Sequence, residues 1–171
     1  LLDRAFDARC REELLFATIL LAARRKALAE VDWSRVDRWV DGIEDWEVCD
    51  QLSMGVIGEL VVRDLSRVEA LVTWASSPNR WRRRAALAAS TSLNQKGRKF
   101  ADETLHVCAP VMTDRDKMIE KALGWVLREA SKSDARAVTL LLQQWRDKTS
   151  RRVLREGSEN LEAATRDALM G

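Results

Sequence analysis

Apolar residues recur at helical spacing along nearly the whole chain, and no stretch alternates in the strand-like manner between turn residues. Cys49, Leu52, Val56 and Leu60 form one such stripe, with Asp50 at its border. The pattern predicts an all-α chain with helices over about 11–30, 34–42, 45–62, 66–76, 79–93, 98–109, 114–131, 134–145, 150–160 and 161–170. The breaks carry ordinary stop and start chemistry. Asp32 and Ser66 are expected N-caps, Pro78 and Pro110 interrupt, Gly97 marks a turn, and Thr113 precedes a helix with Asp114 and Asp116 in its first turn. Short helices joined by short loops imply stacked antiparallel hairpins.

Trp46, Trp81 and Trp125 recur at intervals of 35 and 44 residues, close to the repeat length of a helical solenoid of the HEAT type. An irregular helical bundle is the alternative. The 171 residues, 46% of them hydrophobic, suit one domain spanning 1–171. The longest nearly apolar run, Leu14 to Ala23, is too short to span a bilayer and is flanked by Glu12, Glu13, Arg24, Arg25 and Lys26. The chain opens LLDRAF without an initiator Met, which suggests an upstream stretch.

Charge sharpens the picture through its distribution. Net charge is +2, yet residues 1–78 carry 10 basic and 15 acidic side chains, 79–155 carry 18 and 8, and 156–171 carry 1 and 4. The basic segment suits a phosphate-neutralising surface, while solvated helix faces are the plainer reading. Cys10, Cys49 and Cys108 are odd in number and lack C-x-x-C spacing, which argues against disulfides and zinc and for a reducing, cytoplasmic setting. His106, the lone histidine, reads as structural.

Three constellations carry candidate chemistry. Trp46 and Asp50 stand one turn apart on one helix face, placing a carboxylate beside an aromatic wall; on spacing alone a capping or ion-paired Asp is the plainer reading. Asn79-Arg80-Trp81-Arg82-Arg83-Arg84 packs four arginines into a turn and a half, an arrangement that asks for an anion. Arg84 shares the face of Trp81, whereas Arg82 and Arg83 point toward neighbouring helices. Lys121 to Glu129 repeats the Trp–Arg pairing as Trp125 and Arg128, with Gly124 in mid-helix, which predicts a close approach there. Stacked hairpins would align one carboxylate and two guanidiniums along a concave basic groove, a set suited to holding phosphates and stabilising a cationic sugar.

These pieces resemble the HEAT-like-repeat alkylpurine DNA glycosylases of the bacterial DNA alkylation repair class. The resemblance runs from about Glu12 to the C-terminus. It rests on W-x-x-x-D (Trp46, Asp50), N-x-W-x-x-R-A (Asn79 to Ala85), K-A-x-G-W-x-L-R-E (Lys121 to Glu129) and the stretch Ser150 to Glu156. It implies an α-α superhelix lacking the family's first N-terminal helices, a catalytic Asp50, and Trp46 and Trp125 beside the deoxyribose. Arg84 and Arg128 are implied at the DNA backbone, with Arg80, Arg82, Arg83, Lys121, Arg151 and Arg152 as further DNA-binding residues. The implied reaction is hydrolysis of the glycosidic bond of N3- or N7-alkylated purines in double-stranded DNA by a monomer without cofactor, metal or membrane. Asp45, where some members carry a second Trp, implies a more polar wall. The leaving base is already cationic, so one carboxylate suffices where most glycosidases need two, and neutral bases such as uracil should be poor substrates. Two other readings stay open: a non-catalytic relative binding damaged or branched DNA, and a protein-interaction scaffold.

Overall fold

The computed structural model describes the backbone of residues 1–171 and every side chain except that of Arg25. It is all-helical, an α-α superhelix of short antiparallel hairpins. Thirteen α-helices form it: α1 (Leu2–Ala8), α2 (Arg11–Ala23), α3 (Arg25–Ala29), α4 (Trp33–Asp41), α5 (Trp46–Leu52), α6 (Gly58–Arg63), α7 (Val68–Ala75), α8 (Arg80–Thr91), α9 (Ala101–Cys108), α10 (Lys117–Ser131), α11 (Ala135–Trp145), α12 (Arg151–Gly157) and α13 (Ala163–Met170). Helices α2, α5, α8, α10 and α12 pack side by side in a front layer, and α1, α4, α7, α9 and α11 line the back. The apolar stripes meet between the layers, where Leu52, Ile57, Leu87, Leu123 and Leu142 are fully buried.

Caps set most boundaries. Asp32, Asp45, Asn79, Asp116 and Ser150 each accept a backbone N–H of the following turn. Several expected starts shift, among them α9, which begins at Ala101 and not at 98. Asp64, not Ser66, is the cap before α7, because its carboxylate accepts the Ser66 N–H at 3.2 Å. Helix α10 begins three residues later than expected, since Asp114 and Asp116 are spent on the backbone N–H groups of Asp116 and Met118. The expected helix over 11–30 divides at Arg24, whose backbone leaves the helical region at φ −100°, ψ 81°. The expected helix starts miss α1 altogether: only Leu2 and Ala5 of its seven residues are buried.

The repeat shows itself in bonds between hairpins. The Trp39 indole donates to Asp3, and 35 residues on the Trp74 indole donates to Asp37, at 2.7 and 3.0 Å. On the front layer separations of 34 and 36 residues link Asp50 to Arg84 and Arg80 to Asp116. Trp46, Trp81 and Trp125 do fall on three successive front helices. Trp46 and Trp81 open α5 and α8, whereas Trp125 lies two turns into α10, which is why the second interval is longer than the first.

Glu59 is a further tie. It accepts from Arg98 at 2.9 Å and Lys96 at 2.8 Å, and the Arg98 hydrogen bond, outweighing burial, holds its carboxyl down to about 2. A carboxylate lowered on folding stabilises the fold above its ordinary value near 4.5 and loses that contribution as pH falls toward 2. Glu59→Gln should therefore reduce stability at pH 6 and flatten its fall between about pH 4.5 and 2 in denaturant titrations.

Candidate functional site

Asp45 caps the helix that carries the candidate carboxylate, accepting from the N–H groups of Glu47 and Val48 at 2.9 and 3.1 Å. Arg11 of α2 holds the same turn through Asp45 and Glu47. Asp45 thus faces backbone and an arginine, and its polarity serves the helix start more than any aromatic wall. From this anchored turn Trp46 projects with 56% of its surface exposed, and Asp50 follows one turn later with its side chain 18% exposed. Cys49 is fully buried between them and the core, its Sγ 3.9 Å from the Trp81 carbonyl. Burial pushes that thiol up to about 12, which leaves it protonated and a poor nucleophile at neutral pH.

Arg84 decides the geometry of the site. Its guanidinium is 7% exposed and grips Asp50 with both forks, Nε to Oδ1 at 2.8 Å and Nη2 to Oδ2 at 2.7 Å. Its remaining Nη1 donates to the Met118 carbonyl of α10 at 3.3 Å. One buried side chain therefore joins α5, α8 and α10 and fixes the plane of the carboxylate. The guanidinium expected at a phosphate meets Asp50 instead.

A π-helical turn over Ser53–Ile57 follows directly after α5 and leads into α6. Such turns are rare and favour functional sites. Ser92, at the end of α8, donates to the Met54 carbonyl at 3.2 Å, and Gly58 lies so close that a Cβ there would sit 2.7 Å from the Ala89 carbonyl. The helix of Asp50 and the helix of Arg84 are thus locked at both ends, by the ion pair and by this contact.

The rest of the arginine run is satisfied within the chain. Arg82 bonds Asp37 and Asp41 at 2.7 Å, Arg83 bonds Asp114 and the Ser77 and Pro78 carbonyls, and Arg80 bonds Asp116 at 2.9 Å. The repulsion among four neighbouring guanidiniums is relieved by carboxylates of adjacent hairpins. On α10, Lys121 is exposed, Trp125 is half-buried, and Arg128 is partly exposed and paired with Glu159. Gly124 fulfils its expectation: a Cβ there would meet Glu156 Cβ at 2.6 Å, so α12 packs directly on α10. Glu156 in turn receives Arg152 at 2.8 Å, and Arg151 stays exposed. His106 pairs with Glu69 at the surface.

Sequence reading passed over the Arg11 clamp, the π turn and Glu120. Glu120 is a carboxylate on α10 only 1% exposed that accepts from Lys117 at 3.0 Å. Glu120 is flanked by the charged Lys121 and offers no sequence cue. No group of three or more His, Cys, Asp or Glu is disposed to hold a metal among the described residues, and no described helix is long and apolar enough to cross a membrane.

Residues 1–161 match the family model described as DNA alkylation repair enzyme. The chain belongs to that family. Its role is in the repair of alkylated DNA, as an enzyme of that pathway. The fold agrees with a solved structure from Enterococcus faecalis titled a predicted DNA alkylation repair enzyme, at a TM-score of 0.66 and 20% identity, over 95% of this chain and 83% of the other. Among curated proteins there is no match. In this DNA alkylation repair enzyme, Arg84→Ala should lower unfolding stability by about 3–5 kcal/mol, because it leaves a largely buried carboxylate unpaired. Arg80→Ala, which removes an exposed pair, should cost less than about 1 kcal/mol in the same urea titration.

Proposed function

We propose that the chain is a monofunctional DNA glycosylase that hydrolyses the bond between deoxyribose and an N3- or N7-alkylated purine. The observation that carries this reading is Asp50, a partly exposed carboxylate clamped in one plane by Arg84 beside the exposed indole of Trp46. Arg84 occupies one lone pair on each oxygen. The others remain for the sugar and for water.

Alkylation at N3 or N7 makes the purine cationic, so it departs without a proton donor. As the bond stretches, positive charge passes to the sugar. A fixed anion close to C1′ lowers the energy of that oxocarbenium and can orient the incoming water. Trp46 and Trp125 would pack on the deoxyribose, with Lys121 and Arg128 at phosphates; Arg128 would exchange Glu159 for one. In this reading Arg84 positions Asp50, while Arg82 and Arg83 mainly fasten hairpins. Family membership supports the DNA substrate.

The test is single-turnover release of methylated base from N-methylpurine DNA. Asp50→Asn, which keeps an acceptor for Arg84, should cut the rate by about 10²-fold or more while duplex binding persists. Equal rates would remove Asp50 from catalysis. Duplex binding by the wild type without any base release would favour a non-catalytic DNA-binding relative.

A further inference from the structure

Within residues 79–155 several cations of one hairpin meet a carboxylate of a neighbour. Arg80, Arg82, Arg83, Arg84, Arg98 and Arg128 all do so. Lys99, Lys121 and Arg136 are exposed without such a partner, and so is a group of cations at the edge where α10 and α12 begin. There Arg115, Arg146, Lys148 and Arg151 are exposed, and among the described residues none has a carboxylate partner. Asp147 is exposed between two of them, and the nearby Asp114 and Asp116 are already engaged by Arg83 and Arg80.

Three of the cations on this edge are held in place. Arg115 donates to the Lys148 carbonyl at 2.7 Å, which ties the loop before α10 to the loop before α12. The Lys148 ammonium rests 5.8 Å from the Trp145 ring centre, and Arg151 reaches the Met170 carbonyl at 3.5 Å. With the exposed Arg146 two residues from Lys148, these anchored like charges repel one another unless an anion joins them. The patch continues along α10 through Lys117, 81% exposed, to Lys121. That route leads to the face assigned above to the damaged strand. A duplex, with a phosphate charge every ~1.7 Å along its axis, is the anion long enough to reach both.

We infer that Arg115, Arg146, Lys148 and Arg151 form a phosphate-binding edge that grips duplex DNA flanking the lesion. This rests on the DNA-repair reading and extends its footprint beyond the groove. The contacts are to backbone, so they add affinity without sequence preference.

The experiment is fluorescence anisotropy with an undamaged duplex across a salt series. The variant Arg115→Gln/Arg146→Gln/Lys148→Gln should bind at least about 10-fold more weakly near 0.1 M salt, with a log–log slope shallower by about 2–3. Lys99→Gln/Arg136→Gln, on the opposite edge, should keep the wild-type slope. Should the triple variant melt early, Arg146→Gln alone is read, expected to lose about one unit of slope. An unchanged slope in the triple variant, or an equal loss in the opposite-edge variant, overturns the edge. Failure of the wild type to bind duplex at any salt overturns the DNA reading itself.

Discussion

The bidentate pair between Asp50 and Arg84 is the constraint from which the rest of the site follows. It joins the helix of the candidate carboxylate to its neighbour, and through the Met118 carbonyl it reaches a third helix. A buried pair of this kind is a modest source of net stability, because desolvation offsets most of the attraction. Its value here is geometric. Three successive hairpins cannot slide without breaking it, so the repeat offset of 34 residues and the orientation of Asp50 are one and the same specification.

The back layer repeats that logic with other chemistry. Indole-to-carboxylate bonds at Trp39 and Trp74 and stacked rings at Trp33 and Trp74 set hairpin spacing behind the site. Arg82 adds a two-carboxylate clasp from α8 to α4, which holds it raised well above its ordinary basicity. The π turn and the Gly58 contact close the far end of the Asp50 helix. Ion pairs between hairpins thus fasten the front and back layers to one another, with the four arginines of α8 all engaged by carboxylates of neighbouring hairpins.

Much of the fold was legible because amphipathic helices write their period into the chain: the stripe at Cys49, Leu52, Val56 and Leu60 is buried as its spacing implied. Helix α1 was not legible, being a seven-residue helix with two buried residues. At the site, the partial burial of Asp50 followed from its place at the border of the stripe. Its partner did not. Arg84 stands among four arginines whose local spacing says nothing about which carboxylate, 34 residues away, each will meet; that is set by packing between hairpins. For the same reason the arginine run suggested a phosphate where the fold supplies aspartates.

The chemistry reduces to one balance. In the proposed reading, a single clamped carboxylate stabilises a cationic sugar without protonating a leaving group, so the substrate brings its own positive charge. The most direct measurement compares single-turnover release of N7-methylguanine and of uracil from otherwise identical duplexes. The account predicts rapid loss of the cationic base and none of the neutral one above background. Comparable release of uracil would contradict it.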